Sequence, residues 1–197
     1  MAETIDVLAV LRGSGALKTG HFLLSSGRHS DQYIEKFDLL RRPEATSDAC
    51  ALIADHYRKA SIDVVVGPTT GGVILAFEVA RQLGTAAAYA ERVSGGGSER
   101  EFRRGTVFAP GSRVLVVDDI LTTGGSVRET LAALEKQPVS VAGIAVLVDR
   151  SGGNARLPLP WFSLVTLDVE SWLPETCPLC AQGVPLEKPG TTPSPAS

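Results

Sequence analysis

Two rhythms of apolar residues divide this chain, one loose and one strict. In the first part, Ile5, Leu8 and Leu11 fall at three-residue spacing ahead of Gly13 and Gly15, which predicts a short helix capped by Thr4 or Asp6. From Gly20 to Leu40 two runs of aromatic and aliphatic residues flank the turn-like Ser25-Ser26-Gly27-Arg28. That pattern predicts an extended, hairpin-like hood over residues 19–40. Arg42-Pro43 marks its boundary, and Ala49, Leu52, Ile53 and Tyr57 give Glu44 to Lys59 a helical spacing.

From residue 62 onward, short mostly apolar runs alternate with helical patterns. Ile62–Val66, Ala86–Ala90, Arg113–Val117, Val141–Asp149 and Leu164–Val169 read as strands; Val73–Leu83, ended by Gly84, and Val127–Lys136 read as helices. Strands without a polar face must be covered on both sides, and right-handed crossovers do this with helices. The expected fold is therefore α/β, an open parallel sheet with helices on both faces, with its core over residues 62–170. One domain is expected over residues 1–188, followed by a proline-rich, polar and disordered tail over 189–197. Residues 93–105 carry three consecutive glycines and then Glu99, Arg100, Glu101, Arg103 and Arg104, a composition that predicts a mobile loop outside the core. In open parallel sheets ligands collect beyond the carboxyl ends of the strands. The loops at Gly67, Glu91, Asp118 and Asp149 should converge there.

Bulk properties narrow the partners. With 19 basic and 22 acidic residues the net charge is −3, so nothing global attracts nucleic acid or membrane. No apolar run reaches the ~18 residues of a membrane span, and the N-terminus lacks a leader pattern, which predicts a cytoplasmic protein. Three cysteines argue for reduced thiols. Cys177-Pro178-Leu179-Cys180 has the spacing of half a tetrahedral zinc site. The only other cysteine, Cys50, lies far back on a predicted helix, and the three histidines show no ligand spacing. The expectation is a tight proline turn with two thiols and no functional metal.

Chemistry concentrates in Arg113 to Ser126, RVLVVDDILTTGGS. The strand ends in two acids, then come paired threonines and glycines, and Ser126 is placed to cap the next helix. Free backbone N–H groups at the positive end of a helix suit a phosphate. Two carboxylates beside a phosphate need sugar hydroxyls or a divalent cation as partners. Together they describe a phosphorylated ribose. No glycine-lysine-serine/threonine follows the glycines, so this is not the ATP-type phosphate loop.

The DD-x-x-T-T-G-G-S run resembles the phosphoribosyl diphosphate (PRPP) signature of the type I phosphoribosyltransferases. Gly20 to Ser30 (GHFLLSSGRHS), Gly67-Pro68 and Asp149-Arg150 extend the likeness to the orotate phosphoribosyltransferases over roughly residues 5 to 170. The C-terminal Cys177-Pro178-Leu179-Cys180 and Gly183-Val184-Pro185 resemble a Thermus/Deinococcus-like branch of that family. The resemblance implies transfer of ribose 5-phosphate from PRPP to orotate, releasing pyrophosphate, with Mg2+ carried on PRPP and no protein residue ligating it directly. It implies PRPP contacts at Asp118, Asp119, Ile120, Leu121, Thr122, Thr123, Gly124, Gly125, Ser126, Thr70, Gly71 and Arg92, with Asp118, Asp119 and Arg92 catalytic. Orotate contacts fall at Tyr33, Ile34, Thr122 and Arg150, and a homodimer with shared active sites is implied.

The family lysines are missing at three places, where this chain has Ser25, Gly71 and the 93–105 loop; Arg92 keeps one positive charge, and Arg100, Arg103 and Arg104 are candidates to swing in from beyond the Ser94–Ser98 hinge. Two other readings share the central loop: a phosphoribosyltransferase for adenine or xanthine, and a non-catalytic PRPP-sensing regulator of RNA or DNA binding. The hood and Asp149-Arg150 argue against the first, and the lack of a basic, aromatic-interleaved stretch against the second.

Overall fold

A computed structural model describes residues 6–24, 26–95 and 97–189. Thr4, Ser25 and most of the expected tail fall outside the described residues. The first helix, α1 (Val7–Gly13), is capped by Asp6, whose Oδ1 accepts from the N–H groups of Leu8 at 3.0 Å and Ala9 at 3.2 Å. The hood is a two-stranded antiparallel ribbon, β1 (Leu17–Leu23) with β2 (His29–Ile34).

The hood's extended pattern stops short of its expected end. Residues 36–40 form a helix, α2 (Lys36–Leu40), whose first turn is closed by a Phe37 N–H bond to Glu35 Oε1 at 3.2 Å. Adjacent Leu39 and Leu40 are both buried, which a half-exposed strand does not do and a helix end against a core can. The next helix, α3, runs Pro43–Tyr57 with proline in its first turn, where a missing N–H costs nothing.

The main sheet comprises β3 (Val64–Pro68), β4 (Ala86–Arg92), β5 (Arg100–Glu101), β6 (Ser112–Leu121), β7 (Val139–Asp149) and β8 (Trp161–Thr166). Its order is β5-β4-β3-β6-β7-β8, parallel throughout except for the short β5. Helices α4 (Gly71–Leu83) and α5 (Gly125–Leu134) make the crossovers. Alternation along the strands feeds two cores. Val65, Leu115, Val117, Ala145 and Leu147 face α3 and α4, whereas Val66, Val114, Val116, Ile144 and Val146 face α5. Each buried Val, Leu or Ile among them contributes about 1.5–3 kcal/mol, so the sheet is the rigid element on which the loops ride.

Three boundaries differ from expectation for one reason. Strand β6 continues to Leu121, because Asp118, Ile120 and Leu121 stay in register with Val146, Val148 and Asp149 of the neighbouring strand. Pairing, which local apolar pattern does not report, carries the strand past its two acids. The last strand lies a few residues earlier than predicted, again where β7 supplies partners. The 93–105 segment is not wholly outside the core: β5 folds back on β4, and Phe102 packs edge-on against Phe108 with ring centroids 4.8 Å apart.

The C-terminal segment returns to the hood. His29 and Trp172 exchange two backbone hydrogen bonds of 2.9 and 2.8 Å, while Leu23 donates to Glu187 and Glu187 to His21, both at 2.8 Å. Between these points lie a single 3-10 turn, Pro174–Thr176, and a short helix, α6 (Pro178–Ala181). Among the described residues no helix is long and apolar enough to cross a membrane.

Candidate active site

The carboxyl ends of β3, β6 and β7, with β2 and α2 of the hood, enclose a cavity of about 770 Å³. Of the four loops expected to converge, those at Gly67, Asp118 and Asp149 do so, since Thr69, Thr70, Asp118, Asp119, Thr122 and Arg150 all line it, whereas among the described residues the loop after Glu91 contributes no lining residue. Tyr33 and Ile34 line it from the hood side.

Because successive residues of a strand point to opposite faces, the two acids diverge. Asp118 turns toward α5, where Ser126 Oγ donates to its Oδ2 at 2.5 Å and the Asp119 N–H donates to its Oδ1 at 2.9 Å. Asp119 turns toward the hood. Its Oδ1 accepts from the Ile120 N–H at 2.7 Å, and the Lys36 ammonium stands 2.8 Å from its Oδ2. That Oδ2 is buried and makes no hydrogen bond of good geometry, so it is held by charge alone. Burial, reinforced by the neighbouring Asp119 charge, raises the Asp118 carboxyl to about 6. A carboxylate kept near its own titration point is a common signature of a reacting site.

The loop differs in detail from its reading in sequence. Ser126 is not the helix cap; it lies in the first turn of α5 and spends its hydroxyl on Asp118. The capping position is Gly124, with φ +77°, a left-handed conformation that glycine adopts without a Cβ clash. Leu121 is buried in the core facing α5 and offers only backbone to a ligand; its carbonyl accepts from the Arg150 N–H at 2.8 Å. Ile120 does line the cavity. Thr123, Gly124 and Gly125, expected as contacts, are not among the residues that line it, and Arg128 Nη1 donates to the Thr123 carbonyl at 2.7 Å.

Gly71 opens α4 directly beneath Asp119. A Cβ built there would meet Asp119 Oδ2 at 1.8 Å, so no side chain, lysine included, fits while the carboxylate holds this position. The preceding Thr69–Thr70 peptide is cis. A cation reaches the cavity by another route that sequence reasoning missed. Lys36, on α2, was hidden by reading the hood as extended throughout; the spacing of Phe37 and Leu40 behind it is the signal that could have revealed a helix.

The arginines of the 93–105 segment do not act as one group. Arg100 is buried and donates to Glu129 Oε2 at 3.0 Å, Thr69 Oγ1 at 3.2 Å and the Ala90 carbonyl at 3.0 Å. Its expected freedom to swing is thus contradicted: it is a clamp that ties β5 to α5 and to the loop after β3. Arg103 pairs with Glu101, and Arg104 with Glu91 at 3.2 Å. Arg92 is largely exposed, 3.9 Å from Glu129, and does not line the cavity. Replacing Arg100 by alanine should strip three acceptors of their donor and cost roughly 2–4 kcal/mol. Thermal unfolding checks this; an unchanged midpoint would return Arg100 to the set of mobile cations.

Arg150 is held differently. Its half-buried guanidinium makes no hydrogen bond or ion pair among the described residues, and burial pushes its pKa down. A desolvated, unpartnered cation facing Tyr33 is a site prepared for an anion.

Away from the cavity, the fold removes the ground on which a metal-free C-terminal turn was expected. His21 and His29, without ligand spacing along the chain, meet Cys177 and Cys180 in space.

The chain matches a family model described as a phosphoribosyl transferase domain over residues 38–174. It is 44% identical to orotate phosphoribosyltransferases of Pelotomaculum thermopropionicum and Chlorobaculum parvum, in each case over 94% of this chain, and over 96% and 95% of those proteins. The crystal structure of orotate phosphoribosyltransferase from Aeropyrum pernix superposes with a TM-score of 0.70 at 32% identity, covering 82% of this chain and 94% of that one.

Proposed function

This chain belongs to the phosphoribosyltransferase family and, within it, to the orotate phosphoribosyltransferases, and on that premise we infer that its cavity joins orotate to the ribose 5-phosphate of PRPP. The observation that carries the reading is the unpaired Arg150 guanidinium, set across the cavity from Tyr33 and beside a loop built for phosphate. Orotate offers a carboxylate to the first, a flat ring to the second and a ring nitrogen to the sugar held between them. A purine has no carboxylate to meet Arg150, and this disfavours the adenine or xanthine alternative.

The reaction exchanges a carbon–oxygen bond at the anomeric carbon for a carbon–nitrogen bond to orotate, and pyrophosphate leaves. Positive charge grows on the ribose as the bond stretches. Asp118 and Asp119, fixed at the strand end before substrate arrives, hold the ribose hydroxyls and favour that charge. The α5 N-terminus and the N–H groups after Thr122 hold the 5-phosphate. Mg2+ carried on PRPP fits a site with two hard carboxylates and would neutralise part of the pyrophosphate charge.

Lys36 is the natural complement to that ion. With Gly71 barred from carrying a side chain, the ammonium on α2 supplies a cation between Asp119 and the leaving group. Lys36→Ala should lower turnover roughly 10- to 100-fold, as losing one positioned charge does, and should also lower the melting temperature, because it leaves the buried Asp119 Oδ2 without its counter-charge. Turnover within twofold of wild type at saturating PRPP would remove Lys36 from the mechanism.

The reading extends to a homodimer with shared sites, in the cytoplasm, with no nucleic-acid or membrane partner. Phe77, 66% exposed on α4 beside an apolar groove containing Leu40, Pro43 and Ile74, supports a face that a second copy covers. The reaction is tested by loss of orotate absorbance on adding PRPP and Mg2+. Turnover of adenine or xanthine without orotate turnover would overturn the base assignment, and PRPP binding with no turnover would favour a sensor.

A further inference from the structure

Beside the hood, residues 156 positions apart, His21 and Cys177, come together and bring two imidazoles and two thiols to one point. His21 and His29 lie on the same face of the β1–β2 ribbon. Leu23 pairs with His29, and His21 lies two residues earlier, where the register of β1 shifts; the two imidazole rings meet edge-on with centroids 4.9 Å apart. Cys177 and Cys180 sit at the start of α6 and one helical step later, which turns both sulfurs to one side. His21, His29 and Cys177 are buried.

Four of the six separations are close to those of a tetrahedral coordination shell. All four ligand atoms lie within 4.8 Å of one another. Cys177 Sγ is 3.4 Å and Cys180 Sγ 3.7 Å from His21 Nε2; Cys180 Sγ is 3.3 Å from His29 Nδ1, and the two ring nitrogens are 3.0 Å apart. A tetrahedral zinc ion with its usual bond lengths sets its ligands about 3.5 Å apart for sulfur and nitrogen and about 3.3 Å for two nitrogens. The outer shell is present as well. His21 Nδ1 stands 2.8 Å from the Val184 carbonyl, which can only accept, so the proton is on Nδ1 and the lone pair of Nε2 is aimed into the cluster.

We propose that His21, His29, Cys177 and Cys180 bind one Zn2+ as a structural site that fastens the C-terminal segment to the hood. Two thiolates and two imidazoles in a tetrahedron select zinc over the hard cations, and four protein ligands leave no open position for catalysis. Binding releases the two thiol protons, so metal uptake is coupled to pH. The ion reinforces the backbone bonds at Trp172 and Glu187 and steadies the ribbon whose far end presents Tyr33 and Ile34. The inference is independent of the reaction assigned above.

The test uses the full chain, expressed with zinc in the medium and purified without a metal column. Elemental analysis should find one zinc per chain. Removal by a chelator should lower the unfolding midpoint by at least about 5 °C, restored by one equivalent of Zn2+. Cobalt in its place should show the visible bands of a tetrahedral ion and a sulfur-to-cobalt charge-transfer band. Cys180→Ser, at the exposed ligand, should lose that charge-transfer intensity in part and bind zinc at least tenfold more weakly. Less than a tenth of an equivalent of zinc with no cobalt spectrum on titration, or a Cys177–Cys180 disulfide in the purified protein, would overturn the proposal whatever any variant does.

Discussion

Asp118→Asn should lose two to three orders of magnitude in turnover while its fold is at least as stable as the wild type at pH 8. The activity loss follows from position. One of two carboxylates fixed beside the reacting ribose is neutralised, and losing a preorganised charge of this kind costs roughly 10²–10³ in rate. The stability follows from linkage. Burial and the Asp119 charge raise the folded-state carboxyl from 3.8 to about 6, so the folded protein binds this proton more tightly than the unfolded chain does. The associated stability is complete below pH 3.8 and is lost as pH rises through 6; by neutral pH the ionised group burdens the fold by ~3 kcal/mol.

Asparagine removes that burden and weakens the bond from Ser126, which offsets part of the gain. The difference in unfolding midpoint between variant and wild type should therefore be greatest near pH 8 and shrink toward pH 4. A variant that is inactive and equally destabilised at every pH would show Asp118 to be a structural group. Wild-type turnover should also fall as pH drops through about 6, where Asp118 takes up its proton. Asp119→Asn should lose turnover similarly, but without the rise in stability, because it gives up the ion pair with Lys36.

Arg150→Ala should raise the KM for orotate by roughly 100-fold or more while leaving the affinity for PRPP nearly unchanged. A two-pronged bond between guanidinium and carboxylate, made where water is partly excluded, is worth about 2–4 kcal/mol when one partner is removed. Folding has no stake in the group, since it makes no hydrogen bond or ion pair among the described residues, and losing a half-buried, unpaired cation should not lower the melting temperature. Arg150→Lys should recover only part of the affinity, because an ammonium cannot match both oxygens. Isothermal titration with each substrate separates the two outcomes. Equal losses for orotate and PRPP would mean that Arg150 shapes the whole cavity instead of recognising the base.

Much of this was legible in one stretch of sequence. Arg113 to Ser126 carries a buried strand, two acids and a loop of threonines and glycines within a run of neighbours, and local order alone places those groups together. The alternation of apolar runs and helical patterns from residue 62 likewise determined an open parallel sheet, because a strand with no polar face has to be covered on both sides. Tyr33, Ile34 and Arg150 were readable as site residues through resemblance, and the fold brings them to one cavity.

Other features depend on contacts between distant parts of the chain, and composition is silent about those. Arg100 reads as one charge among several in a glycine-rich loop; only the packing of β5 against α5 and the β3 loop makes it a buried clamp. Lys36 reads as a hood residue, and the turn of α2 sets it against Asp119. Gly71 reads as a missing lysine, yet the space above it is already taken by a carboxylate from another strand. His21 and Cys177 are 156 positions apart, beyond any spacing rule, and meet because the C-terminal segment pairs with the hood. Sequence by itself determined most of the strands and helices and the run of acids, threonines and glycines in one loop, since neighbours along the chain carry those signals. Tertiary structure decided which charges face the cavity and which are locked away, since burial and pairing are properties of contacts made across the fold.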